Sequence, residues 1–147
     1  MRNEVYNNVG VCALAIMFIL KHAPKLSISK VLLIMPFITH RQLLAYLSNG
    51  NSKIIGLEKL IIDKVPYFSN FNRRYYDSLC LTINSIQFLV EIGVVRLEKN
   101  MIVFDSDINY EPEMGKRMKK IEKASSNIAL LLSENEIKSY LNLRIEL

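Results

Sequence analysis

Residues 79–105, LCLTINSIQFLVEIGVVRLEKNMIVFD, change hydrophobic period once, at Gly93, and that switch decides the fold. Upstream of it, Leu79, Ile83, Ile86 and Val90 recur at steps of four, three and four, the spacing that gathers side chains on one helix face. Gly93 is a good helix stop. Downstream, Val94, Val95 and Leu97 and then Met101, Val103 and Phe104 form two short apolar runs around a polar, turn-compatible tip of Glu98, Lys99 and Asn100. Helix, glycine, hairpin is the outline of a winged helix-turn-helix, a module that reads nucleic acid or docks protein and seldom does chemistry.

Composition sets the outer limits. With 147 residues, half of them hydrophobic, the chain can bury one sizeable core, so disorder is not expected. The net charge of +5, from 19 basic and 14 acidic residues, permits contact with nucleic acid or acidic proteins without requiring either. Two cysteines, Cys12 and Cys80, in a chain with no clear export signal point to a reducing, cytoplasmic setting, with both thiols acting as small core hydrophobes. The apolar run over residues 9–20, VGVCALAIMFIL, is too short for a membrane span, which needs ~20 residues. It reads as a buried first helix over residues 4–21, ended before Pro24.

Outward from the deciding stretch, the chain divides into an N-terminal helical part (1–64), the winged segment (70–105) and a C-terminal helical tail (113–147), together one mainly α domain with a small β-hairpin. In the first part, Ser27 or Ser29 can cap the segment at residues 30–37, which favours a short helix ended near Pro36. Thr39 is expected to cap a helix through Leu47, and Ser52 to start another that reaches Lys64. Asn70 or Asn72 caps the long helix, residues 105–112 form a polar connector, and Ser133 with Glu136 has the spacing of a capping box for the last helix.

No motif for catalysis, nucleotide binding or metal binding is legible in the chain. None of the five glycines sits in a phosphate-cradling loop with the required lysine and hydroxyl. His22 and His40 are 18 positions apart with no ligand-spaced cysteine or carboxylate, so no metal framework is legible, and no nucleophile stands near His40 and Arg41. No catalytic residue, cofactor or metal is expected.

Binding features remain. Arg73 and Arg74 beside Tyr75 and Tyr76 combine guanidiniums with stacking rings, and Arg96 and Lys99 fall on the wing; these four are candidate nucleic-acid contacts. The helix between Leu79 and Ile92 carries no arginine or lysine, which argues against tight DNA reading. In the tail, Met114, Met118, Ile121, Ser125, Ile128 and Leu132 follow a three-four alternation, and its apolar members are the expected partner interface. The basic block at its start, Lys116, Arg117, Lys119 and Lys120, offers further phosphate contacts.

Four stretches, taken in order, resemble the middle component of bacterial three-component ABC ATPase systems: YNNVGVCALAIMFIL, LSISKVLLIMPFITHRQ, VEIGVVRLEKNMIVF and EKASSNIALLLSENEIKSYLNLRIEL. The second is similar to that family's apolar run ending in a Leu-Pro step before a basic residue, here Met35-Pro36 and then His40-Arg41. The last is similar to its capped helix closing on Leu-Gly-Val-Arg, here Leu141-Asn142-Leu143-Arg144. The resemblance implies a winged-helix adaptor without activity of its own in an anti-phage or anti-plasmid complex of the Lamassu kind. Its partners would be an SMC- or Rad50-like ATPase and a nuclease-type effector from the same operon; contact with DNA would be indirect and contact with membrane absent. The alternative reading is a self-standing winged-helix DNA-binding regulator; a small enzyme with a dispersed site has no positive sign in its favour.

Overall fold

The computed structural model describes residues 2–106 and 115–146, with residues 2–8 as backbone only. In chain order the elements are α1 (Arg2–His22), β1 (Lys25–Ser27), α2 (Ile28–Val31), α3 (Ile34–Ile38), α4 (Arg41–Ser48), α5 (Leu57–Asp63) and α6 (Val65–Phe68). They continue with α7 (Phe71–Glu91), β2 (Val95–Glu98), β3 (Met101–Phe104), α8 (Gly115–Leu132) and α9 (Glu136–Asn142). The described chain is thus mainly helical, with one small antiparallel sheet in the order β1-β3-β2.

Gly93 ends α7 as its sequence suggests. It sits in the left-handed region at φ 79°, and two bonds close the helix end: Val94 N–H donates to the Leu89 carbonyl and Gly93 N–H to that of Val90. This is the Schellman pattern, with Leu89 and Val94 both buried beneath the turn. The hairpin is next, pairing Val95 with Phe104 and Glu98 with Met101, and Lys99 takes the positive φ at its tip. Strand β1 is an addition to the expected two: Leu26 pairs with Ile102, and Ile28 N–H donates to the Asn100 carbonyl beside the hairpin tip.

Over residues 9–20 helix α1 is apolar around its circumference and mostly buried, with Val11 and Leu14 half-buried. Cys12, Ile16, Met17, Ile19 and Leu20 are inaccessible, and the helix packs on α7 and α8. No single helix among the described residues is long and apolar enough to cross a membrane. The face that α7 turns inward differs from the expected stripe. Phe71, Tyr75, Ser78, Thr82, Ser85, Ile86 and Leu89 are buried, whereas Ile83 is exposed and Leu79 and Val90 are half-buried. Small hydroxyl residues occupy this face because they let α1 approach, and Ser85 Oγ donates to the Leu81 carbonyl within its own helix. Cys12 packs there, its thiol raised in pKa by burial. Cys80, by contrast, is exposed, not a core residue.

Several ends depart from the expected caps. His40, not Thr39, caps α4, its Nδ1 accepting from Leu43 N–H at 3.1 Å. Residues 30–37 divide between α2 and α3, and Pro36 lies within the first turn of α3, where no intrahelical donor is required of it. Helix α5 begins at Leu57, five residues beyond Ser52, because its donor is satisfied from afar: Glu134 Oε2 accepts from Leu57 N–H at 2.7 Å. A Cβ on Gly56 would stand 3.3 Å from that carboxylate oxygen, so the glycine leaves room for the approach. Asn135, not Ser133, caps α9 by accepting from Lys138 N–H.

Candidate interaction surface

The C-terminal helix α9 is held in place by polar bonds to a segment more than a hundred residues earlier. Glu136 accepts from the hydroxyls of Ser27 and Ser29, which hold its carboxyl below the usual carboxylate range. Tyr140 donates to the Ser29 carbonyl, and its ring meets that of Tyr75 edge to face at 5.7 Å. Burial pushes the Tyr140 phenol well up, with Tyr75 acting in the same direction, so it remains a neutral donor. These contacts bury Ser139 and Tyr140 and leave the neighbouring apolar residues outside: Ile137 is 73% and Leu141 71% exposed, one helical turn apart.

Between them and α2 lies a groove of about 510 Å³ lined by Leu32, Tyr75, Ile137, Tyr140, Leu141 and Ile145, with the Glu136 carboxylate at its edge. A second hollow, with Ile61, Ile62, Val65 and Phe68 among its lining, adjoins Leu143 and Arg144 just past the same helix. Isolated exposed apolar residues are ordinary on a protein surface, but a turn-spaced pair over an apolar hollow is a site where a partner's side chains can be buried. The sequence carries a faint signal of it: Ile137 and Leu141 are out of phase with the buried residues of their helix.

The expected interface is placed elsewhere. Met118, Ile121, Ile128 and Leu132 lie in this chain's own core, where α8 packs against α1 and α4. The tail stripe is therefore covered within the chain and is no surface for a partner; Met114 lies outside the described residues. Periodicity marked a buried face without saying what buries it.

The basic candidates separate into three groups. Arg74 is a structural clamp: its Nε donates to the Pro36 carbonyl, its Nη2 to that of Tyr67, and it lies over the Phe71 ring, so it is not the phosphate contact its sequence context suggested. Arg96 is paired with Glu98 and Asp105 on the hairpin, which neutralises it, while Arg73 and Lys99 are exposed. Lys116, Arg117 and Lys120 come together with Arg41, which sequence reasoning set aside, around a notch of about 340 Å³; Lys119 is exposed beyond it. The outward face of α7 presents Tyr76, Cys80, Ile83, Asn84 and Gln87, with the exposed Arg73 at its N-terminal end and no arginine or lysine from Leu79 onward. Among the described residues no three His, Cys, Asp or Glu side chains are grouped to hold a metal ion.

The model of one protein family, the Middle Component 3 of ABC-three component (ABC-3C) systems, matches residues 8–147. The chain belongs to this family. Comparison with curated proteins and with solved structures finds no match. As a Middle Component 3 protein it is a component of an ABC-3C system, and the matched region includes both α9 and the hairpin segment.

Proposed function

We propose that this Middle Component 3 protein is a non-catalytic adaptor that bridges an SMC- or Rad50-like ATPase and a nuclease-type effector in a defence complex of the Lamassu kind. The observation that carries the reading is the groove beside α9, with Ile137 and Leu141 exposed above an apolar floor in a protein whose family is by name one component of several. Its occupant would be an amphipathic helix of a partner subunit, laying apolar side chains one turn apart into the groove and a basic residue near Glu136. An adaptor of this sort reports the ATPase's state through a difference in affinity between two states.

The element order supports a winged-helix classification. The support comes from a helix, a strand, further helices, the long α7 and then the β2–β3 hairpin, with β1 pairing on β3. The stretch of α7 from Leu79 onward, where such a fold would read DNA, carries no arginine or lysine, which favours docking over base reading. The regulator alternative finds no support, since Arg74 and Arg96, two of its four phosphate contacts, are engaged within the chain.

The test is co-expression with the neighbouring genes and pull-down on a tagged chain. Ile137→Asp with Leu141→Asp is expected to lose the partner while circular dichroism and the melting temperature stay unchanged, because both side chains are exposed; Arg73→Ala is expected to retain it. Recovery of an undiminished complex by the double variant would refute the groove as the docking site.

A further inference from the structure

The notch at the start of α8 is built unlike ordinary solvated surface. Helices α4 and α8 pack along each other and run in the same direction, because Arg41 at the start of α4 shares the notch with Lys116 and Lys120, while Leu47 near its end accepts from Asn127 Nδ2 at 2.8 Å. Both helices therefore turn their N-terminal ends, the positive ends of their dipoles, toward the same place. Neither has an acidic residue in its first turn. Instead Arg41, Lys116, Arg117 and Lys120 stand there, over a floor of Ile38 and Leu44 with the Thr39 hydroxyl beside them.

Cations are disfavoured at helix N-termini, and these four repel one another as well. Among the described residues no carboxylate lines the notch and none of the four is in an ion pair. An anion seated in the notch would relieve this repulsion between the four described cations. Two guanidiniums suit paired phosphate oxygens, and two ammonium groups supply the remaining point charge.

We propose that this notch binds the phosphodiester backbone of a nucleic acid, gripping charge without reading bases. Carboxylate-bearing proteins are the weaker fit: two dipole ends, two guanidiniums and two ammonium groups gathered around one notch suit the closely spaced charges of a phosphodiester backbone better than single carboxylates. The site shares no residue with the groove beside α9, so it stands or falls independently of the adaptor reading.

The experiment is fluorescence anisotropy of the full chain with labelled 20-mers of duplex DNA, duplex RNA and single-stranded DNA across a salt series. The notch variant Lys116→Gln, Arg117→Gln, Lys120→Gln is compared with a control of equal charge change on exposed lysines elsewhere, Lys53→Gln, Lys59→Gln, Lys138→Gln. Wild type is expected to bind at least one nucleic acid with little sequence preference, and the three probes distinguish which. The notch variant should lose about tenfold or more in low salt, with the slope of log affinity against log salt reduced by about 2 to 3, whereas the control should change little. Equal losses in both variants, or binding of polyglutamate and of none of the nucleic acids, would overturn the proposal. Matched circular dichroism spectra confirm that all three proteins are folded.

Discussion

Replacing Gly93 with alanine isolates the physics that ends α7. At φ 79° an alanine is strained, and a Cβ built there meets nothing within 4 Å, so the penalty is purely that of the backbone conformation. For an L-residue it amounts to about 1–2 kcal/mol. Alanine also restricts the unfolded chain, which stabilises by about 0.4–1 kcal/mol and masks part of the strain. Gly50→Ala removes this ambiguity: Gly50 lies in an exposed turn, its φ is not positive, and its Cβ likewise meets nothing within 4 Å. The unfolded-state gain is common to both variants, so the difference between them is the strain alone. Equilibrium urea unfolding should place Gly93→Ala about 1–2 kcal/mol below Gly50→Ala, with equal m-values. A difference under about 0.5 kcal/mol would mean that the α7 end relaxes into another turn, and that the glycine does not set the entry to the hairpin.

The carboxylates around α9 give two further expected outcomes. Glu134→Ala should destabilise by about 1 kcal/mol, the usual effect of removing a helix cap, and speed hydrogen exchange at the Leu57 amide; unchanged exchange would show that the long-range cap does not protect it. Glu136 has a folded pKa held below its unfolded value, so its contribution is present above the unfolded pKa of about 4.3 and is lost as pH falls through the folded one. Urea midpoints of wild type and Glu136→Gln should therefore converge as pH falls below the unfolded value of about 4.3; a gap that stays constant as the pH is lowered would remove the carboxylate from the account.

The local features of the fold were legible and the distant ones were not. The α7–Gly93–hairpin run could be read because its bonds span a few residues, and the apolar run over residues 9–20 because a helix hydrophobic all round has to be buried. Strand β1 could not, since three residues become a strand only by pairing with residues 101–103, far along the chain. The caps failed for the same reason: Ser133 and Glu136 have capping-box spacing, yet Glu136 turns to Ser27 and Ser29, and Glu134 serves α5. The tail stripe shows the limit of periodicity. The spacing marks an apolar face that reads as a partner interface, and only the fold reveals that α1 and α4 cover it within the chain. The basic notch was half visible, because Arg41 reaches Lys116 and Lys120 only through the parallel packing of α4 and α8.

The bonds from Glu136 and Tyr140 also govern when the groove beside α9 comes into being. Its walls come from residues 29, 32 and 75 on one side and from 136–145 on the other, joined by contacts across 65 to 111 positions. Closures of that span are entropically slow and form after local helices do. A nascent chain emerging from the ribosome thus has α7 and its hairpin available before it has any groove. Should partner capture rely on that groove, assembly is restricted to chains whose tail has already folded back, and a truncated or misfolded copy is denied entry to the complex without any separate inspection step.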